Sequence, residues 1–329
     1  MLVLLATLLI LVYLTPIFLL FFCPELLKRL VLFNFINRKS DILKNPKEFG
    51  LNNTIHSYFE TEPGIKLGVW HILPAPLNVE NDNFCDEYTR IDYLNSGKGL
   101  ILYLHGNTNN RGGSERIGTY QKLSEIGYNI VTFDYRGFGD SNGVTTYKNI
   151  IFDSLRIYYW LKNMLSDDRK IVIWGHSLGT GVACELSNSI RIRQENVDCL
   201  VLESPFTSLY CSAIEHPITT AFLPLKFFMK IIIKRSLSKI EFSFDNKSIL
   251  KRLKCPILIM HARDDKIIPF YLGENCYCIA KSRECHEKTI TIFDDYKSNG
   301  FGHKNIHKSH EFQFNIEKFF MVSNISKIE

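Results

Sequence analysis

Short apolar runs rich in β-branched residues recur along the chain after residue 50. Near-continuous apolar runs of this kind are typical of strands in a sheet that is covered on both faces. The pattern predicts strands at Leu67–Ile72, Leu100–Leu104, Ile130–Phe133, Ile171–Trp174, Leu200–Leu202, Ile257–Met260 and Ile290–Phe293.

Longer stretches between these runs predict helices, at Tyr120–Ile126, Ile150–Leu165 and Thr180–Arg193. Strands that alternate with helices indicate a parallel sheet with right-handed crossovers. One segment breaks this alternation, because more than fifty residues separate Leu202 from Ile257. We expect a lid at about 205–250, over the carboxyl ends of the strands where open α/β sheets bind ligands.

The first 22 residues contain no charged side chain and are rich in Leu, Ile, Val and Phe. About 20 apolar residues suffice to cross a bilayer as a helix, and the single Pro16 is tolerated there. A cleaved signal peptide is the alternative, but a charged start and a small-residue cleavage site are absent. We therefore predict a transmembrane anchor at 1–22, a juxtamembrane linker at 23–50 and a folded domain at 51–329. Residues 24–36 could also lie flat on the bilayer as an interfacial helix.

Composition adds little to this picture. The chain has 329 residues, of which 46% are hydrophobic and 22% charged, as in an ordinary globular protein. The net charge of +5 comes without a dense basic tract, so no nucleic-acid partner is predicted. The nine cysteines show no zinc-site spacing.

The strand ending at Trp174 leads directly into Gly175-His176-Ser177-Leu178-Gly179, and a helical stretch follows. G-x-S-x-G between a strand and a helix is the nucleophile elbow of α/β-hydrolases. The serine sits on a sharp turn, where side chains two residues to either side would collide with neighbouring backbone. We therefore predict Ser177 as a nucleophile in an α/β-hydrolase fold.

A serine hydroxyl needs a general base, and the base needs an orienting acid. In this fold the acid follows a late strand, and the loop after Met260 offers Asp264 and Asp265. Asp265 is preferred, since it stands four residues before Pro269, and Asp264 is expected to cap the turn through backbone amides. Glu203, after an earlier strand, is the outside candidate.

The base is expected in the loop after the last strand. His303 follows Gly300-Phe-Gly302, a flexible turn that can bring its ring to the serine, and is expected to open the last helix. The other nearby histidines are expected to face solvent on that helix or to pack at a strand end: His307, His310 and His261. There is no His-Glu-x-x-His and no carboxylate cluster, so no metal site is predicted.

An oxyanion hole needs two backbone N–H groups aimed at the developing charge. One belongs to the residue after the nucleophile, Leu178, and the other to the loop after the strand Leu100–Leu104. In that loop Gly106 lets the backbone turn, and Asn107 is the preferred second donor, give or take one residue.

These motifs together resemble the lysophosphatidylserine lipase and monoacylglycerol lipase family of α/β-hydrolase-domain proteins. The resemblance covers residues 51 to 320 in order and is weakest in the lid. It is carried by Leu67–His71, Ile101–Asn107, Val131–Gly137, Trp174–Val182, Leu202–Thr207, His261–Asp265 and His303–Ser309. It implies a mostly parallel eight-stranded sheet with a helical lid and a triad of Ser177, Asp265 and His303.

The resemblance also implies the activity: hydrolysis of the acyl ester of lysophospholipids, lysophosphatidylserine above all, and of monoacylglycerols, with no cofactor. It implies a single-pass protein of the endoplasmic reticulum membrane whose catalytic domain lies in the lumen. This chain departs from the family in its lid and in lacking the family's longer charged N-terminal tail. These departures leave the headgroup preference and the orientation open.

The residues themselves give conflicting evidence on orientation. Basic residues follow the anchor and favour a cytosolic domain: Lys28, Arg29, Arg38 and Lys39. Three glycosylation sequons, which matter only in the lumen, begin at Asn52, Asn246 and Asn324.

The segment Ala221–Lys239 joins apolar residues to several lysines and an arginine, which suits an anionic bilayer surface or headgroup. The alternative is an ordinary buried lid helix with solvated lysines. Lid and anchor together favour a lipid substrate at a membrane. Two other functions stay open, an acyl-protein thioesterase on the same fold and a catalytically silent scaffold.

Overall fold

The computed structural model describes residues 2–32, 41–75, 77, 87–283, 290–297 and 300–325. An eight-stranded sheet lies at its centre, in the order β1-β2-β4-β3-β5-β6-β7-β8. Its strands are β1 (Thr54–Glu62), β2 (Ile65–Ile72), β3 (Leu100–Leu104), β4 (Asn129–Phe133), β5 (Ile171–His176), β6 (Cys199–Glu203), β7 (Ile257–Ala262) and β8 (Thr291–Tyr296). The strands β4, β3, β5, β6, β7 and β8 pair in parallel, whereas β1 and β2 run antiparallel to their neighbours. The expected mostly parallel eight-stranded sheet is therefore confirmed.

The hydrophobic pattern missed β1, which forms the edge of the sheet beside β2. Its sequence, Thr-Ile-His-Ser-Tyr-Phe-Glu-Thr-Glu, mixes polar with apolar positions, and most of its side chains remain at least partly exposed. An edge strand needs no continuous apolar run, because only one side of it is covered.

Helices cover both faces of the sheet. They are α1 (Leu2–Phe22), α2 (Pro24–Leu32), α3 (Glu87–Leu94), α4 (Ser114–Glu125), α5 (Tyr147–Met164), α6 (Leu178–Ile192), α7 (Leu209–Glu215), α8 (Pro217–Thr220), α9 (Lys226–Lys239), α10 (Asn246–Leu250), α11 (Phe270–Lys281) and α12 (Phe312–Val322). Apolar side chains of α4 and α12 pack into one core layer, and those of α5, α6 and α11 pack into the other. The two layers bury the strands from both sides, as their continuous apolar sequences require.

The segment predicted as a lid contains helices α7 to α10, between β6 and β7. Its longest helix, α9, buries Met229, Ile232, Ile233 and Leu237 against the domain. The opposite face of α9 exposes apolar side chains, at Phe227, Phe228 and Ile231.

The two N-terminal helices do not stand apart from the domain. The Ser236 hydroxyl of α9 donates to the Leu20 carbonyl at 3.0 Å, and the Arg235 guanidinium lies 3.9 Å from the Phe21 ring centre. Leu20, Leu27 and Leu32 are buried in the same core layer as α9. The predicted linker at 23–50 is therefore partly structured, by α2 and by two short 3₁₀ turns at Asp41–Lys44 and Pro46–Phe49.

Among the described residues, no helix taken by itself has the length and apolarity that a membrane span requires. A bend of 101° joins Leu11–Phe22 to Pro24–Leu32. Only as a pair do these two segments satisfy the requirement, and they do so on length and composition alone. The anchor predicted at 1–22 thus stays a prediction.

One predicted glycosylation sequon lies inside the fold. Asn246 is completely buried, and its side-chain nitrogen donates to the Phe206 carbonyl at 2.8 Å. Glycan attachment needs that nitrogen at the surface, so the sequon cannot be used in the folded protein. Asn52 and Asn324 are exposed.

Candidate active site

The turn between β5 and α6 holds Ser177 in a strained conformation, with φ 54° and ψ −119°. The flanking glycines make this turn possible. A Cβ on Gly175 would lie 2.3 Å from the Gly179 carbonyl oxygen, and one on Gly179 would lie 2.0 Å from the Leu104 carbonyl oxygen. No larger side chain fits at either place, so the sequence G-x-S-x-G follows from the close approach of β3, β5 and α6.

The structure brings Ser177, His303 and Asp265 together, although 126 residues separate the serine from the histidine. The Ser177 hydroxyl lies 2.8 Å from His303 Nε2, and His303 Nδ1 lies 2.7 Å from Asp265 Oδ2. With the Nδ1 proton donated to the carboxylate, Nε2 is free to accept the serine proton. This chain of contacts is the arrangement that activates a serine.

Asp265 is itself held in place by the start of the loop that follows β7. Its Oδ1 accepts the backbone N–H groups of Ile267 and Ile268, at 2.8 and 2.9 Å. Burial acts to raise its pKa, but hydrogen bonds from His261 and His303 hold the pKa well below its usual range. The carboxylate is therefore ionised throughout the physiological range and can orient an imidazole.

The two other acid candidates do not reach His303. Asp264 accepts the backbone N–H groups of Gly300 and Gly302, at 2.7 and 2.8 Å. The Glu203 carboxylate accepts a hydrogen bond from the Trp174 indole N–H at 3.1 Å. Trp174 lies in the core layer that also contains the apolar side chains of α4 and α12. Burial raises the pKa of Glu203 to about 7.

The competing histidines also lie away from the serine. His261 Nε2 lies 2.9 Å from the Ile268 carbonyl, and His310 is exposed. His307 was expected to face solvent, but its ring is buried against Gly118, where a Cβ would lie 2.3 Å from Nε2. The expectation that His303 opens the last helix was wrong, because a 3₁₀ turn intervenes and α12 begins at Phe312.

The two predicted oxyanion donors belong to segments that adjoin the serine. Leu178 begins α6, so its N–H has no acceptor within the helix. The backbone before Asn107 approaches the nucleophile, since a Cβ on Gly106 would lie 3.3 Å from the Ser177 Cβ. The buried Arg116 fixes this loop by donating to its main-chain carbonyls, and the Asn107 side-chain amide donates to the Val31 carbonyl of α2 at 2.9 Å.

His176, predicted only as part of the elbow, has a further contact. Its Nε2 lies 2.9 Å from the main-chain carbonyl of His303. Burial, and then the neighbouring His303, lower the pKa of His176 to about 3, so its ring is neutral and donates from Nε2. No sequence signal indicates this bond, because its acceptor is a backbone atom 127 residues away.

Comparisons with known proteins find relatives of the same fold. A family model described as the alpha/beta hydrolase fold matches residues 99–231. The lysophosphatidylserine lipase ABHD12 of Mus musculus is 38% identical over 300 residues, which are 89% of this chain and 74% of that protein. The lysophosphatidylserine lipase ABHD12 of Gallus gallus is 39% identical over 306 residues, 91% of this chain and 78% of that protein.

Among solved structures, the esterase Pf2001 of Pyrococcus furiosus superposes with a TM-score of 0.57 at 20% sequence identity. The superposition covers 84% of this chain and 93% of the esterase chain. At this identity the likeness supports the shared fold alone.

Proposed function

Because this chain belongs to the family of lysophosphatidylserine lipases and is a lipid ester hydrolase, we propose that Ser177, His303 and Asp265 carry out its reaction. The observation that carries the proposal is the continuous pair of hydrogen bonds, 2.7 and 2.8 Å long, from Asp265 through His303 to the Ser177 hydroxyl. We propose lysophospholipids as substrates, lysophosphatidylserine first among them, and monoacylglycerols in addition.

The reaction proceeds in two halves. His303 Nε2 takes the Ser177 proton while the serine oxygen attacks the acyl carbonyl, and the N–H groups of Leu178 and Asn107 stabilise the resulting oxyanion. The carbon–oxygen bond to the glycerol moiety then breaks, and that oxygen takes the proton from His303. Water, deprotonated by His303, attacks the acyl-enzyme, and the fatty acid leaves as Ser177 recovers its proton. No cofactor takes part in these steps.

A lipid substrate is supported by the surface of α9. Its exposed apolar side chains, Phe227, Phe228 and Ile231, lie on the same helix as exposed lysines at 230, 234 and 239. Exposed aromatic residues flanked by lysines suit a bilayer that contains anionic lipid, and each basic residue near such a surface contributes about 1 kcal/mol.

We propose that α1, α2 and α9 together hold the protein at the membrane. The exposed face of α1 is mostly apolar over its last three turns and includes Leu11, Val12, Phe18 and Phe22. We propose the endoplasmic reticulum membrane, with the catalytic domain in the lumen, on the strength of family membership. Protease protection of intact microsomes tests this placement, since a cytosolic domain would be digested without detergent.

The test of the catalytic proposal is fluorophosphonate labelling of the membrane-expressed protein beside Ser177→Ala. Turnover of lysophosphatidylserine and monoacylglycerol is measured in the same samples. We expect the wild type to label and to release fatty acid, and the variant to do neither. Labelling without release from either lipid would refute the substrate and make thioesters the next class to assay. A folded wild type that does not label would refute the triad.

The membrane surface has a separate test with a matched control. Burying a phenylalanine side chain contributes about 1.5–3 kcal/mol, so Phe227→Ser with Phe228→Ser is expected to weaken binding to phosphatidylserine vesicles more than tenfold. Phe314→Ser, an equally exposed phenylalanine on α12, is expected to leave binding unchanged. Equal loss from both changes would refute α9 as the contact.

A further inference from the structure

The loop that carries His303 contains two glycines directly before the histidine, at residues 300 and 302. Gly300 and Gly302 have φ values of +103° and +51°, which favour glycine, and among the residues that the structure describes a Cβ at either position would meet no atom within 4 Å beyond its chain neighbours. Phe301 between them packs against Tyr296, but steric packing does not fix the two glycines themselves, and glycine loses more conformational freedom on folding than any other residue. Some other interaction has to hold the loop if the imidazole is to stay 2.8 Å from Ser177.

Two polar side chains supply that interaction, one on each side of the imidazole along the chain. Asp264 accepts the N–H groups of Gly300 and Gly302, the second of which directly precedes His303. His176 donates to the carbonyl of His303 itself. Both side chains belong to rigid positions, since Asp264 adjoins Asp265 after β7 and His176 adjoins Ser177 at the end of β5.

We propose that Asp264 and His176 are positioning residues that fix the main chain on both sides of His303. The proposal rests on the catalytic role proposed above for His303. Two consecutive aspartates thereby have complementary roles, since Asp265 orients the ring through Nδ1 and Asp264 holds the backbone that delivers the ring. His176 links the same backbone to the turn that holds Ser177. This link keeps the distance between the Ser177 hydroxyl and His303 Nε2 constant.

The arrangement makes a specific kinetic prediction. A displacement of about 1 Å at a reacting group can lower the rate about 100-fold, and substrate binding does not depend on the histidine backbone. Asp264→Ala should therefore lower kcat about 100-fold and leave KM within twofold. In the wild type the two N–H groups are bound by different oxygens of Asp264, and Asp264→Asn keeps only one of those oxygens, so its kcat should fall between those of the wild type and Asp264→Ala.

His176 can be tested by a conservative pair. Gln has a side-chain N–H that can reach the His303 carbonyl, whereas Leu has no donor. His176→Leu should lower kcat about tenfold, the value of one lost hydrogen bond, and His176→Gln should restore part of it.

The experiment uses the full-length protein in detergent micelles with p-nitrophenyl butyrate, and compares Asp264→Ala and Asp264→Asn with the wild type. Asp295→Ala is the control, because Asp295 is paired with Arg263 beside the same loop and the loop amides of Gly300 and Gly302 are held by Asp264. Amide hydrogen exchange of the peptide around residues 300–305 is followed in the same preparations. We expect faster exchange confined to that peptide in the Asp264 variants only.

The outcomes separate the two proposals. Turnover in Asp264→Ala within threefold of the wild type would refute the positioning role. A loss of activity accompanied by faster exchange throughout the sheet would also refute it, since that pattern marks general destabilisation. Should Asp264→Ala fail to fold, the isosteric Asp264→Asn decides by the same criteria. Residual turnover in Ser177→Ala, in contrast, would refute the proposed function and leave the loop geometry untouched.

Discussion

Replacing Asp265 by asparagine changes one carboxylate oxygen into an NH₂ group and leaves the shape of the side chain intact. Two orientations are available. If the amide oxygen faces His303, the NH₂ group faces the N–H groups of Ile267 and Ile268, which lie 2.8 and 2.9 Å from the carboxylate in the wild type. The Ile268 N–H is buried whereas Ile267 is exposed, and a buried donor left without an acceptor costs about 1–3 kcal/mol, so this orientation is disfavoured by about 1–3 kcal/mol.

The asparagine is therefore expected to keep its oxygen on the two backbone amides and to present NH₂ to His303 Nδ1. The imidazole must then accept at Nδ1 and carry its proton on Nε2, where it can no longer take the Ser177 proton. In serine hydrolases a wrong tautomer of this kind lowers kcat about 10⁴-fold, which corresponds to about 5 kcal/mol of lost transition-state stabilisation.

The assay is kcat for a water-soluble ester, together with the rate of fluorophosphonate labelling, on Asp265→Asn and on the surface control Asp295→Asn. The fold should survive, since the hydrogen bonds to Ile267 and Ile268 are kept, and the unfolding midpoint is measured to confirm it. Turnover of Asp265→Asn within tenfold of the wild type would refute the tautomer argument. So would a loss of turnover that merely follows a loss of folded protein.

Three further changes test other parts of the structure. The pKa of Glu203 is raised from an ordinary value near 4.5 to about 7, so stability is fully present below 4.5 and is lost as pH rises towards 7. Glu203→Gln should therefore raise the free energy of unfolding by about 3 kcal/mol at pH 8 and by little at pH 4.5, as chemical denaturation would show. Gly179→Ala should abolish fluorophosphonate labelling, because its Cβ would meet the Leu104 backbone; full labelling would contradict the elbow geometry. Deleting residues 1–32 should lower the unfolding midpoint and also kcat on a soluble ester, because the Val31 carbonyl that holds the Asn107 loop is lost; unchanged kcat would show that the two helices do not support that loop.

The local chemistry of the sheet and elbow was readable from the sequence. Buried parallel strands need continuous apolar runs, and the sharp turn at Ser177 needs glycine on both sides, so both leave a pattern in the residues. Chain order in the fold selected two loops, and the distance to Pro269 and the glycine turn before residue 303 then selected Asp265 and His303, which the structure places within hydrogen-bonding distance of each other. Their catalytic role stays a prediction until the variants are assayed.

Interactions with main-chain atoms of distant segments left no such pattern. The bond from His176 to the His303 carbonyl depends on how two distant loops meet, and any residue at position 303 would offer that carbonyl. The polar edge strand β1 and the burial of His307 were not predicted either. Each depends on tertiary neighbours and not on local sequence.

The packing of the N-terminal helices on α9 has a consequence for the order of synthesis. Leu20 and its partner Ser236 are 216 residues apart, and a ribosome adds about 5–20 residues per second. For roughly 10–40 s, therefore, the leucines of α1 and α2 exist before the helix that covers them has been made. During that interval their apolar surface has to be shielded by something outside the chain, a bilayer or a chaperone, and the contact with α9 can form only after residue 236 has been made.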